Sequence, residues 1–90
     1  MSHLSITING QNYPITCKDG QEDRIRELAA GIDNKIQNLV SEMGQVGDSR
    51  LLVFAGLLVA DELAELKEAA EEIDHLAERI EAIASHLEQS

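Results

Sequence analysis

The sequence predicts an α+β fold, with an N-terminal β-hairpin and one helix forming a head, followed by one long C-terminal helix that forms an oligomeric coiled coil. Three observations predict it. Apolar residues alternate with period two before residue 18, recur at helical intervals from 20 to 43, and then follow a heptad repeat towards the C-terminal end. We expect a head at residues 1–58, which includes the start of the second helix, and a coiled-coil rod at residues 59–90.

The hairpin is predicted over residues 4–17. Asn9-Gly10 favours a type I′ turn, because both central residues of that turn need positive φ. A two-residue loop then sets Ile6 opposite Tyr13. The same register sets Leu4 opposite Ile15 and gathers the apolar side chains on one face. The alternating apolar residues are Leu4, Ile6, Ile8, Tyr13, Ile15 and Cys17.

Pro14 lies within the second predicted strand. Because proline has no N–H to give to a ladder, we expect that strand to be an edge. A two-stranded hairpin is barely stable alone, so its apolar face needs the cover of a helix or extension by a second copy.

The first helix is predicted over residues 20–43. Asp19 and Glu22 have the spacing of a capping box, which indicates the start. Gly44 is expected to end the helix, and Asp48 is expected to cap the next one after a short link. The apolar residues at helical intervals are Ile25, Leu28, Ala29, Ile32, Ile36, Leu39, Val40 and Met43.

The second helix meets no proline before the C-terminal end. Its first part, Leu51 to Ala60, is apolar all round, so we expect protein to surround it. From there a heptad repeat follows, in which layers of large side chains alternate with layers of small ones. Apolar residues at the g positions make the apolar face of the helix wider than a two-stranded coiled coil would bury, which favours more than two helices. The predicted oligomer interface is Val59, Leu63, Leu66, Ala70, Ile73, Leu76, Ala77, Ile80, Ile83, Ala84 and Leu87.

The alternative to self-association is a helix that folds back on its own head. A straight helix of this length would span about 60 Å at 1.5 Å per residue. A head of this size is only about 20 to 25 Å across. The difference favours association between copies.

Composition and charge argue against several classes of function. One Phe, one Tyr and no Trp favour helix packing over a deep ligand pocket, so the sequence predicts no enzyme. The net charge is −10, and residues 51–90 carry ten acidic against two basic side chains, which disfavours nucleic acid and membrane surfaces as partners. No targeting segment or span of about 20 apolar residues is visible, and with a single cysteine the chain reads as cytoplasmic.

Residues that could carry chemistry do not form a motif. His3, His75 and His86 are scattered and lack ligand spacing, and Cys17 is most simply a small buried strand residue. No phosphate loop or nucleophile elbow occurs, so no catalytic, cofactor or metal site is expected. The carboxylates of the rod form either a solvated face or a docking stripe for a basic partner: Glu65, Glu68, Glu71, Glu72, Glu78 and Glu81.

Two segments resemble the ZapA family of bacterial cell-division proteins. They are Arg24–Asp33 (RIRELAAGID) and Leu52–Leu63 (LVFAGLLVADEL), in the order hairpin, helix, link, apolar run and coiled coil. The resemblance covers roughly residues 4–66, and the coiled coil continues in kind. It implies a cytoplasmic protein at the division site that binds the tubulin-like protein FtsZ, promotes side-by-side association of its filaments in the Z-ring, and acts as a homodimer or homotetramer.

The basic residues of the head are candidates for contact with FtsZ, on charge complementarity alone: Arg24, Arg26, Lys35 and Arg50. The alternative is that each is simply solvated helix surface. Residues 42–45 are poor in basic side chains, although family members often carry positive charge there. Two other functions stay open, which are a generic coiled-coil adaptor for another cytoplasmic protein complex and a subunit of an enzyme complex.

Overall fold

The structure, a computed structural model, describes residues 1–89 of the 90-residue chain. It contains two strands, β1 (Ser2–Ile8) and β2 (Gln11–Cys17), and two helices, α1 (Glu22–Met43) and α2 (Asp48–Gln89). This confirms the predicted α+β order of hairpin, helix and one long C-terminal helix.

The hairpin has the predicted register. Ile6 pairs with Tyr13 and Leu4 with Ile15. Asn9 and Gly10 have φ values of 51° and 76°, as a type I′ turn requires. Every second residue of each strand is at least partly buried, beginning with Ser2 in β1 and Tyr13 in β2. The alternating pattern therefore places one apolar face of the hairpin against the rest of the head.

Pro14 stands where no ladder bond is needed. The pair that flanks the turn is Ile8 with Gln11, and hydrogen-bonded and non-hydrogen-bonded pairs alternate away from it. Pro14, opposite Ser5, is therefore in a non-hydrogen-bonded pair, and its nitrogen faces away from β1. Within residues 1–89 the sheet consists of β1 and β2, so each strand has an open edge and the edge prediction for β2 is confirmed.

α1 begins two residues later than predicted, and the predicted capping box is wrong. Gln21 is the N-cap residue and makes no side-chain cap bond. The carboxylate of Asp19 instead accepts a 2.7 Å hydrogen bond from the Ser2 hydroxyl and lies 3.4 Å from the N-terminal amine. The Glu22 carboxylate accepts the Gly20 N–H at 3.1 Å, one residue beyond the N–H that the predicted box requires. Asp19 is thus used to hold the N-terminal strand.

The link between the helices begins with Gly44, which ends α1 as predicted. Gly44 has φ 78° and ψ −174°, a conformation open in practice only to glycine, and its N–H donates to the Val40 carbonyl at 2.8 Å. α2 begins at Asp48, where the Gly47 carbonyl accepts the Leu51 N–H at 2.9 Å. The Gly47 carbonyl thus accepts the first backbone hydrogen bond of α2, which makes Gly47 the N-cap residue. The prediction that Asp48 caps α2 is wrong.

The core of the head lies where the hairpin, α1 and the start of α2 meet. Ile36 and Leu51 are its most completely enclosed side chains, at 1% and 0% exposure. Burying one such aliphatic side chain contributes about 1.5–3 kcal/mol to folding. Partly buried side chains, including Tyr13, Val46 and Phe54, pack around this centre. The buried members of the core are Ile8, Ile36, Leu39, Leu51 and Ala55.

Internal contacts divide the chain into two compact units, Met1–Leu57 and Leu58–Ser90. The first unit holds every side chain described as buried, and the second is helical over residues 58–89, with exposed side chains at residues 58–88. A division of contacts within one chain does not measure whether either part folds alone. The head at residues 1–58 and the rod at 59–90 therefore stay predictions.

Candidate protein-interaction surfaces

The first candidate surface is the apolar stripe of α2, defined as the eleven residues of the predicted interface. All eleven are exposed in the single chain, and the large ones range from 41% exposure at Val59 to 69% at Leu66. Spacings of three and four keep them on one side of the helix. A contiguous exposed apolar surface of this kind marks an interaction site.

The stripe contains a row of large and a row of small side chains. Ile73 and Ile80 belong to the large row, and Ala70, Ala77 and Ala84 form most of the small row. Small side chains allow a second helix backbone to approach closely, while the large ones fill the space beside them. This geometry fits another helix better than a flat partner surface.

The opposite side of this helix is acidic. Its six glutamates, Glu65 through Glu81, are exposed, and His75 Nδ1 lies 3.8 Å from Glu78 Oε2. Exposed pairs of this kind contribute little to stability. The arrangement is that of a solvated face, and nothing in it selects a basic partner.

Exposed apolar side chains also occur on the head, and the sequence-based interface did not include them. Leu28 of α1 is half exposed, as are Leu52, Val53 and Leu57 of α2. The expected protein cover around Leu51–Ala60 is present only at Leu51 and Ala55, with Phe54 half-buried. The signal was available, because a helix that is apolar all round needs cover on every side.

The four basic candidates do not form one patch. Arg24 and Lys35 are eleven residues apart, or three turns of α1, and share one side of it. Arg26 is turned about 200° away from Arg24 and pairs with Asp23 at 3.1 Å. Arg50 is in the first turn of α2, beside a shallow depression of about 550 Å³ that Val53 also lines. Among the three candidates on α1, Arg24 and Lys35 thus share one side and Arg26 does not.

A polar cluster at the hairpin tip, which the sequence did not reveal, centres on Asn9. Its backbone N–H donates to Asp33 Oδ1 at 2.8 Å. Its side-chain Nδ2 donates to Gln45 Oε1 at 3.0 Å and to Asp48 Oδ1 at 2.9 Å, and its Oδ1 accepts from Gln45 Nε2 at 3.1 Å. Gln37 Nε2 lies 3.5 Å from both Asn9 Oδ1 and Asp33 Oδ1. We call these bonds the Asn9 latch.

The neighbours of Glu22 shift its pKa. The hydroxyl of Ser2, the N–H of Glu22 itself and the N–H of Gly20 hold the pKa of Glu22 below its usual 4.5, because they stabilise the carboxylate. This carboxylate therefore belongs to the contacts that hold β1 to the start of α1.

The remaining residues whose side chains could bind a metal or react are dispersed along the chain. Residues 1–89 contain no group of three or more His, Cys, Asp or Glu placed to hold a metal. Cys17 is half-buried and unpaired by disulfide, and His3, His75 and His86 are exposed. Over the same residues, no helix is long and apolar enough to cross a membrane.

Comparison with known proteins gives relatives over the full length of the chain. The uncharacterized protein RP756 of Rickettsia prowazekii (strain Madrid E) is 28% identical over 97 residues, which cover 98% of this chain and 92% of that protein. A solved structure described as an unknown conserved bacterial protein from Pseudomonas aeruginosa PAO1 is 23% identical, covers 100% of both chains and superposes with a TM-score of 0.78, which shows a shared fold.

The family comparison agrees with the resemblance noted in the sequence. The model of the family described as cell division protein ZapA matches residues 4–87, which take in the hairpin, α1 and nearly all of α2. The chain therefore belongs to the ZapA family of cell division proteins.

Proposed function

We propose that this protein binds FtsZ filaments and joins neighbouring ones side by side, supporting Z-ring assembly at the cytoplasmic division site, and that it does so without catalysis. Membership of the ZapA family makes it a cell-division protein and supports FtsZ as its partner. The observation that carries the proposal is the apolar stripe, whose exposed side chains call for a second copy of the chain.

The stripe supplies the free energy for self-association. Each large side chain buried between helices contributes about 1.5–3 kcal/mol before the cost of association is subtracted. Seven large residues from Leu63 to Leu87 contribute in this way, and the three alanines let helices approach. Dimers or tetramers follow from this proposal.

Self-association then makes the protein multivalent. Each copy brings one head, so a dimer or tetramer brings two or four. Once one head is bound to a filament, the linked head has a raised effective concentration near a neighbouring filament. Weak contacts by single heads are thereby sufficient for crosslinking.

The head contact is proposed to involve the basic side of α1, where Arg24 and Lys35 lie together, with Arg50 as a further contact. Arg26 is the weakest of the four candidates, since it faces a different direction from Arg24 and Lys35. Complementary charge would accelerate encounter with an acidic filament, and its effect would fall as salt rises.

Co-sedimentation with polymerised FtsZ tests the proposal. The intact protein is expected to pellet with filaments and to increase their bundling, measured by light scattering and electron microscopy. Arg24→Glu with Lys35→Glu is expected to weaken pelleting, and Arg26→Glu, which reverses one charge on the other side of α1, serves as the control. If the intact protein neither pellets with FtsZ nor changes bundling, the adaptor function is favoured instead.

A further inference from the structure

Asn9, which the latch holds, belongs to a dipeptide sequence that is prone to deamidation. Asn9 is followed by Gly10, which has no side chain and no heavy atom within 4 Å of the place a Cβ would occupy. In an Asn-Gly pair, the unhindered glycine nitrogen can attack the asparagine side-chain carbonyl carbon. The tip of the hairpin therefore joins a reactive dipeptide to a network of hydrogen bonds.

The reaction is a deamidation and it balances with water alone. The backbone nitrogen of Gly10, after losing its proton, bonds to Cγ of Asn9, and the Cγ–Nδ2 bond breaks with release of ammonia. Water then opens the resulting cyclic imide at either carbonyl. The product at position 9 is aspartate or its backbone isomer, isoaspartate.

The closed latch opposes the first step. Nδ2, the leaving group, donates to both Gln45 and Asp48, and Oδ1 is held by Gln45. The backbone N–H of Asn9 is also fixed, by Asp33. For Cγ to swing towards the Gly10 nitrogen, the bonds that hold the side-chain amide must break, so the attack requires the latch to open.

The products cannot restore the latch. Aspartate lacks the two donors of Nδ2 and places a carboxylate where Asn9 now lies 2.9 Å from a carboxylate oxygen of Asp48. Isoaspartate adds a backbone methylene to a turn with only two central residues. Both changes favour separation of the hairpin tip from the α1–α2 link.

We propose that Asn9 is a site of spontaneous deamidation gated by the latch, so that opening of the hairpin tip is converted into an irreversible chemical change. Asn9 is protected while the latch holds the hairpin tip against the α1–α2 link. Each time the latch opens, Asn9 can lose its side-chain amide. A chain modified in this way has a less stable head from then on.

Peptide mass spectrometry of the full chain during incubation tests this proposal. It follows the mass gain from replacing the amide NH2 by OH at each asparagine. The double variant Gln45→Ala, Asp48→Ala is expected to deamidate at Asn9 several-fold faster than the intact protein. Ser49→Ala is the matched control, because Ser49 adjoins Asp48, is exposed and is not one of the residues that form the latch. Asn12, Asn34 and Asn38, which do not precede glycine, are internal controls.

A second measurement does not depend on the folding of that variant. In the intact protein, low urea concentrations are expected to accelerate Asn9 deamidation and hydrogen exchange of the Asn9 N–H in parallel. Asn9→Asp, which imitates one product, is expected to lower the unfolding midpoint more than Asn12→Asp. Equal Asn9 rates in the native and urea-unfolded chains would overturn the proposal, as would an unchanged rate in a folded double variant.

Discussion

Asn9 combines two requirements in one side chain. It has positive φ, which asparagine tolerates better than most residues, and it offers two donors and an acceptor to Gln45 and Asp48. One residue of the turn therefore fixes the start of α2 as well as the hairpin.

Asn9→Gly separates these two roles, because glycine keeps the positive φ and removes only the side chain. We expect the free energy of unfolding to fall by about 0.5–1.5 kcal/mol, the net range for a hydrogen bond, because the side-chain bonds to Gln45 and Asp48 are exposed and the bond from the backbone N–H to Asp33 is kept. Urea unfolding measures it. Thr7→Ala, which removes an exposed 2.8 Å bond to Asn12, is the comparison. A loss for Asn9→Gly no larger than that of Thr7→Ala would contradict the role of the latch.

Glu22 gives a pH-dependent prediction. Its pKa is lower in the folded chain than the usual 4.5, so its contribution to stability is fully present above pH 4.5 and is lost as pH falls through the folded value. Ser2→Ala is expected to raise the pKa of Glu22 in an NMR titration, because it removes the largest cause of the shift. Ser5→Ala, on the exposed face of β1, is the control, and equal Glu22 titrations in both variants would refute the assignment.

At this scale the sequence predicted turn chemistry but not the partners of acidic side chains. Asn9-Gly10 was enough for the register, since a turn is local. Asp19 and Asp48 had the spacing of caps, yet each bonds to a residue far away in sequence, Ser2 and Asn9 respectively. Long-range competition of this kind leaves no mark in local spacing.

Gly31 within α1 and Gly44 directly after its last residue have contrasting conformations, which permits a matched test on one helix. Gly44 at the end has φ 78° and ψ −174°, so Gly44→Ala is expected to destabilise the head by about 1–3 kcal/mol. Gly31 lies within the helix, with nothing within 4 Å of an added Cβ, so Gly31→Ala is expected to stabilise it by up to about 1 kcal/mol. The midpoint temperature of thermal unfolding is expected to fall for Gly44→Ala and to rise for Gly31→Ala. Shifts of the same sign would contradict the assignment of Gly44 as the C-terminal cap.

The elements were predicted best where one strong local signal fixes them. Gly44 ended α1 as expected, whereas its start moved because Asp19 is engaged by the N-terminal strand. The apolar run of α2 was recognised as needing cover, but which of its sides faces the core depends on how it meets Ile8 and Ile36. That choice is tertiary, and periodicity alone does not determine it when all sides are apolar.

The whole molecule is expected to be an oligomer that depends on the apolar stripe. Ile80→Glu places a carboxylate in that stripe and is expected to reduce the mass in solution, because a buried unpaired charge costs several kcal/mol. Ala82→Glu adds the same charge about 200° around the helix and is the control. Sedimentation equilibrium over a concentration series measures both.

The variants Ile80→Glu and Ala82→Glu also test whether filament crosslinking requires self-association. Ile80→Glu is expected to retain single-head binding to FtsZ while losing bundling, and Ala82→Glu to retain both. An Ile80→Glu protein with unchanged mass at every concentration would contradict the oligomer, and one that is smaller yet still bundles filaments would contradict the multivalent mechanism.

The candidate surfaces were predictable from the sequence to different degrees. A heptad repeat specifies its own face, so the stripe could be read directly. The basic candidates were chosen by charge, which contains no spatial information, and the structure separates Arg26 from Arg24 and Lys35. The apolar run indicated that residues such as Leu57 need cover, whereas the exposure of each individual side chain, Leu28 included, came from the structure.

Pro14 limits how heads can aggregate. An endless fibre built through strand edges needs two usable edges on every molecule, one for each neighbour. Pro14 removes an outward donor from the middle of β2, so continuous pairing is interrupted there, and β1 alone retains a full set of outward N–H groups. Pairing between hairpins through their β1 edges would therefore end at two copies, so the heads are protected from assembling into a fibre of their own.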